Sequence, residues 1–192
     1  MIDLFLLLFN IAIINNLALT YLVGVDLQVA ASQRMNNAWL TGLATIYCLC
    51  LCVPGSYLIN QFIIIPFQLQ YIDLLLYVMT ILIVILGSKN IVHKLFPLLI
   101  ERVDSVTPVL LVNSILLAVI LLQESQINSF FDSFLFGLAT GLGVLFLLLV
   151  VTCLRERVDN NNVPEPFRGI PLLLISMGIL SMGLMGLAGL YP

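Results

Sequence analysis

Six runs of apolar residues, each about as long as a helix needs to cross a bilayer, decide what this chain can fold into. They cover residues 4–25, 38–59, 71–88, 105–123, 132–154 and 169–190. The turn and charge signals fall between them, in Gln28 to Asn37, Asn60 to Gln70, Lys89 to Asp104, and Arg155 to Arg168. A transmembrane β-barrel is excluded, because its strands alternate and run only about 10 residues. The composition agrees: 61% of the 192 residues are hydrophobic and 9% charged, against about 25% charged in a soluble domain. The expected fold is therefore an all-α membrane protein of six transmembrane helices, forming a single domain over 1–192. Met1-Ile2-Asp3 supplies no positive n-region, so the first run reads as a span and not as a cleaved signal.

Orientation follows from the cations. Arg34 lies between spans one and two; Lys89, Lys94 and Arg102 between three and four; Arg155, Arg157 and Arg168 between five and six. All seven fall on one side, which the positive-inside rule assigns to the cytoplasm. Both termini are then expected on the non-cytoplasmic side of a bacterial inner membrane. With no basic patch or tail, nucleic-acid binding is not expected.

The two halves repeat each other. Leu40-Thr41-Gly42-Leu43-Ala44-Thr45 in span two matches Leu135-Phe136-Gly137-Leu138-Ala139-Thr140 in span five, 95 positions on. Ile14-Asn15-Asn16-Leu17 in span one corresponds to Val112-Asn113-Ser114-Ile115 in span four, 98 positions on. Each half (1–96 and 97–192) holds three spans, an odd number, so the second half must be inverted relative to the first. Transport proteins built this way keep their working site near the midplane, between the repeats. Asn15, Asn16 and Asn113 are accordingly candidates for an ion path or for capping a broken helix, with ordinary interhelical amide bonding as the alternative.

Little else carries chemistry. Cys48, Cys50 and Cys52 share one helix, where 48 and 52 lie on one face and 50 on another, so no metal site is expected from them. Cys153 stands alone. His93 has no second ligand or nucleophile beside it, and there is no phosphate-binding loop, dinucleotide fingerprint or catalytic triad. No catalytic residue is assigned, and the chain by itself is expected to catalyse nothing.

Several strings have a family likeness that runs the whole length. They are Leu154-Arg155-Glu156-Arg157, then Asn162-Val163-Pro164-Glu165-Pro166-Phe167-Arg168-Gly169, and Ser181-Met182-Gly183-Leu184-Met185-Gly186-Leu187-Ala188-Gly189-Leu190. With Asn15-Asn16, the Gly24 region, Gly42-Leu43-Ala44-Thr45 and Val112-Asn113, they make the chain resemble the RnfA/NqrE membrane-subunit family of Rnf complexes and sodium-translocating NADH:quinone reductases, closest to RnfA. The resemblance implies a membrane subunit of a complex that couples electron transfer to sodium or proton translocation. It further implies a homologous partner subunit of opposite topology, together with other Rnf/Nqr-type subunits, and a [2Fe-2S] cluster shared between the two homologues, each lending two cysteines.

At both positions where the resemblance places those cysteines, this sequence has something else. Gly24-Val25 is followed by Asp26, and Asn113 by Ser114. Iron–sulfur clusters rest on soft thiolates, for which a carboxylate or a serine hydroxyl is a poor substitute. Asp26 and Ser114 are thus the positional candidates for cofactor binding. The alternative is a cluster-free paralogue, serving as a structural scaffold or a non-redox cation carrier. For Asp26 a further alternative is an interfacial aspartate near Arg34.

Overall fold

A computed structural model describes residues 23–32, 35–69, 71–95, 100–124, 129–159, 164 and 167–188. These residues are helical with no strand among them. The helices are α1 (Val25–Ala31), α2 (Met35–Ile59), α3 (Asp73–Leu95), α4 (Ile100–Leu111), α5 (Ser114–Glu124), α6 (Phe130–Asp159) and α7 (Ile170–Ala188). The expected first span, with Asn15 and Asn16, lies almost wholly outside the described residues.

Three stretches are single helices long and apolar enough to cross a membrane: Met35–Phe67, Asp73–Lys94 and Phe130–Val158. A fourth crossing is available from Val103–Leu111 and Ser114–Gln123, which meet at a bend of 54°. A shorter apolar stretch is Ile170–Gly183. The second span outlasts its apolar run. Where Asn60 suggests a stop, the backbone widens into a π-helical segment, Asn60–Ile64, and then regains α geometry over Ile65–Phe67. It ends at Gln68, whose φ of 51° breaks the helix. Aromatic side chains gather near the helix ends: Trp39 and Phe167 at one end, Phe62, Phe67, Tyr71, Phe130 and Phe131 at the other, all exposed. That is where amphipathic or bulky rings suit the headgroup region.

The core is organised on the antiparallel crossing of α2 and α6. Small residues let the backbones approach. A Cβ added at Gly141 would lie 3.0 Å from the Ile46 Cα, and one at Gly137 would lie 2.8 Å from the Leu49 carbonyl oxygen. Without a hydrophobic force to join helices in lipid, such close backbone packing is what holds them. Leu49, Cys52, Val53, Val144, Leu147 and Val151 are fully buried along this seam. α3, α4 and α5 pack onto the same core through Tyr77, Ile85, Leu110, Ile115, Leu116 and Val119.

Several polar side chains inside the bundle are satisfied locally or across helices. Thr45, Thr80, Thr107 and Thr152 each donate to the carbonyl four residues earlier. Gln123 Nε2 donates to Ser133 Oγ at 2.8 Å, and Ser56 Oγ lies 3.3 Å from Gln123 Oε1, tying α2, α5 and α6 together at one end. At the opposite end Arg155 donates to Ser32 Oγ at 3.0 Å. There, too, Lys89 (2.9 Å) and His93 (3.2 Å) both meet Asp104, linking α3 to α4.

Candidate functional site

The α4–α5 pair is bent because of what lies between its two helices. α4 ends when the Asn113 N–H bonds to Leu110 O at 3.2 Å, a tighter turn than the α-helix makes. Asn113 then starts α5, since its Oδ1 accepts the Ile115 N–H at 3.0 Å. This is an N-cap, which satisfies one of the amides a helix start leaves open. The amide's other half is not matched: Asn113 Nδ2 is buried without a partner among the described residues.

A second helix begins beside the first. Gly24 precedes α1 with φ 83° and ψ 18°, a conformation that a side chain disfavours. A Cβ there would also collide with the Ile115 side chain. The segment Gly24–Asp26 therefore lies directly against the start of α5. α1 runs from this point towards Ser32 and Arg155, while α5 runs the opposite way, towards Gln123 and Ser133. The two helices thus start at the middle of the bundle and diverge, N-terminus to N-terminus.

Three hydrogen bonds join them. The Gly24 N–H donates to Ser114 Oγ at 3.0 Å. Ser114 Oγ donates in turn to Asp26 Oδ1 at 2.8 Å. The Ser114 N–H donates to Asp26 Oδ2 at 3.0 Å. Both carboxylate oxygens are engaged, one with the hydroxyl and one with the first amide of α5. A carboxylate is favourably placed at a helix N-terminus, where the exposed N–H groups carry partial positive charge. Asp26 is half-buried and Ser114 exposed on the surface of the chain, beside the exposed Leu111 and Val112.

Of the residues singled out in the sequence, Asp26, Ser114 and Asn113 come together here. Asn15, Asn16 and Arg34 lie outside the described residues. Cys48 and Cys52 are buried in the α2 core, Cys50 is half-buried and Cys153 exposed, all as free thiols. Among the described residues no three His, Cys, Asp or Glu side chains are grouped to hold a metal ion. Two further buried polar groups are not singled out as site residues in the sequence. Gln28, one turn into α1, is fully buried with neither amide atom partnered among the described residues, and Thr140 Oγ1 is likewise unpaired. In a string, Gln28 reads as a residue of the loop after span one; only its burial sets it apart.

Comparison with known proteins supplies the lineage. The family model described as "Rnf-Nqr subunit, membrane protein" matches residues 4–191. The chain belongs to that family. It is similar to proteins named as the A subunit of the ion-translocating oxidoreductase complex in several bacteria. That of Thioalkalivibrio sulfidiphilus is 32% identical over 185 residues, covering 96% of each chain. That of Alkalilimnicola ehrlichii is 33% identical over 190 residues, covering 99% of this chain and 98% of its own. That of Actinobacillus pleuropneumoniae is 31% identical over the same length and coverage.

An iron–sulfur cluster, which the family resemblance implies, finds poor ligands at this junction. The side chains are hard oxygen donors, not soft thiolates, and they are already hydrogen-bonded to each other and to backbone amides. The Asp26 and Ser114 pair does not fit that group.

Proposed function

We propose that this chain is the A-type membrane subunit of an Rnf-type complex, coupling electron transfer among other subunits to sodium or proton translocation. The observation that carries this is the end-to-end match: relatives named for that role in the ion-translocating oxidoreductase complex align over nearly the whole of both chains. The test is purification of the tagged chain from membranes in mild detergent. Redox-active partner subunits should copurify, and deleting the chain should abolish ion uptake driven by electron transfer. A chain that purifies alone, from membranes whose redox-driven uptake survives its deletion, overturns the assignment.

The finer architecture we infer is six spans in two inverted repeats of three. The contacts of α2 with α6 support it. Gly42 meets Leu145, Ile46 meets Gly141 and Leu49 meets Gly137, so the crossing centres on Ile46 and Gly141. Those two positions are separated by the repeat offset of the Gly-Leu-Ala-Thr strings, which is where a two-fold axis relating the halves would pass. Both termini then face the non-cytoplasmic side of the inner membrane. A cysteine at Ser125 should react with an impermeant thiol reagent from outside and one at Asn161 from inside, in a background without the four native cysteines; reversed access overturns the topology.

The partner is a homologous subunit of opposite topology, seated on the face that carries Asp26, Val112 and Ser114. Polar groups halfway along a span are costly against lipid, which favours covering them with protein. The second reading, a cluster-free scaffold or non-redox cation carrier, is favoured by one observation, the mutual hydrogen bonding of Asp26 and Ser114. Within a complex, the two readings are compatible: the chain assembles the ion path while electrons travel through other subunits.

A further inference from the structure

The junction spans 88 residues of sequence and leaves none of its three donors idle: the Gly24 N–H, the Ser114 N–H and the Ser114 hydroxyl each have an acceptor. We infer that Asp26 and Ser114 form an internal clamp that locks the opposed starts of α1 and α5 without metal, and that this chain gives no ligand to an iron–sulfur cluster there. The inference deepens the reading of the chain as part of an Rnf-type complex and rests on it.

The clamp stands on four physical grounds. For iron to bind a carboxylate oxygen of Asp26, that oxygen would have to weaken or surrender its bond to the Ser114 amide or hydroxyl. Losing the amide bond would strand a helix-start N–H halfway across the bundle. For Ser114 to ligate iron as an alkoxide, its hydroxyl would have to give up the proton that it donates to the Asp26 carboxylate. The electrostatics point the same way, because the Asp26 carboxylate already supplies the negative charge that the N-terminus of α5 favours. A cluster with thiolate ligands would place further negative charge against it. Finally, among the described residues the chain's thiols do not gather with Asp26 into a group of three side chains able to hold a metal ion.

The substitutions also complement one another. An aspartate alone would leave the Gly24 amide without its serine acceptor, and a serine alone would leave its own amide without the carboxylate. Together they close a ring of bonds through Gly24, Asp26 and Ser114. The clamp thereby performs the mechanical part of what shared ligation would do, holding two distant backbone segments in register.

The test uses the complex purified through a tag on this chain, carrying the native sequence, Asp26→Asn, Asp26→Ala, Ser114→Ala, or Asp26→Ala with Ser114→Ala. Iron and acid-labile sulfide are measured per complex, and the thermal midpoint of each is recorded. Iron and sulfide should be the same throughout the set. Each alanine variant should melt earlier than the native complex, and the double variant earlier than either single one but by less than the sum of their two shifts, because the bond from Ser114 Oγ to Asp26 Oδ1 is lost in both. Loss of about two irons and two sulfides in any variant that assembles would overturn the inference, that being the content of the cluster in question. Additive losses of midpoint would overturn the clamp. If the alanine variants fail to assemble, Asp26→Asn carries the iron measurement, since it keeps the side-chain shape and one oxygen acceptor. A chain that purifies without other subunits defeats the complex reading alone, and its own iron content still decides the ligand question.

Discussion

The α2–α6 crossing and the α1–α5 junction hold the same bundle together by opposite means. At the crossing glycine lets backbone touch side chain, and dispersion over the long seam of Leu49, Val53, Val144 and Leu147 supplies attachment. At the junction the contact is short and made of three directed hydrogen bonds. The first kind of contact fixes distance and tolerates sliding. The second fixes register, because a carboxylate displaced by one residue finds no amide. A bundle held by both kinds of contact has its helix spacing and its register fixed separately.

The comparison breaks most visibly at the crossing. Gly141→Leu forces a branched side chain against the backbone of Ile46 and should cost roughly 3 kcal/mol or more, the upper range for overpacking a tight core. Loss of a monodisperse detergent-solubilised chain in size-exclusion chromatography would register it. Gly87→Ala is the control: a Cβ there meets nothing within 4 Å, so the change should be neutral or slightly stabilising through better helix propensity. Equal damage from both substitutions would mean that the crossing is not where the bundle is tightest.

The junction should be more forgiving in magnitude and more selective in chemistry. Asp26→Ala strips the Ser114 amide and hydroxyl of their charged acceptor and should cost about 1.5–3 kcal/mol, the range for hydrogen bonds to a charged group. Asp26→Asn should cost less, because an amide oxygen still accepts one of the two bonds. Thermal melts of the purified chain in one detergent rank the three proteins, and an Asn variant no better than the Ala variant would show that shape, not hydrogen bonding, matters here. One step smaller is Asn113→Ala, which removes the N-cap of α5 at about 1 kcal/mol and should raise hydrogen exchange at Ile115 before it lowers the global midpoint.

The two regions also differ in how far the sequence discloses them. The crossing is visible in the string, since Gly-Leu-Ala-Thr occurs twice and small residues in apolar runs mark helix contacts. The break in the fourth span has a local sign as well, an asparagine inside an apolar run. The bonds between Asp26 and Ser114 have none, because they depend on bringing together segments 88 residues apart; the string shows only that both positions lack the cysteines that the family resemblance implies. Hydropathy also misplaces the end of the second span. It counts Asn60 and Gln61 as a stop, whereas the helix absorbs them in a π-helical segment and continues to Phe67. A polar side chain ends an apolar run more readily than it ends a hydrogen-bonded backbone.

The ion pair between α3 and α4 should give the smallest effect of all. Lys89 and His93 both reach Asp104, so on geometry alone this end of the bundle looks as firmly joined as the junction. Its setting differs. The side chains of Lys89 and Asp104 keep 34% and 44% of their exposure, so water and salt screen the attraction, and ordering two flexible side chains offsets much of the remainder. Asp104→Asn should therefore hardly move the thermal midpoint, as is usual for exposed pairs. Whatever shift it does cause should shrink as salt is raised from low to physiological strength. The Asp26 substitutions should respond little to the same change, because their bonds run to a neighbouring hydroxyl and a backbone amide. Melting both variants across a salt series separates the two cases. If Asp104→Asn proved as costly as Asp26→Ala and equally indifferent to salt, directed bonding at the midplane would have no special standing. The register of α1 against α5 would then have to be set from the charged end.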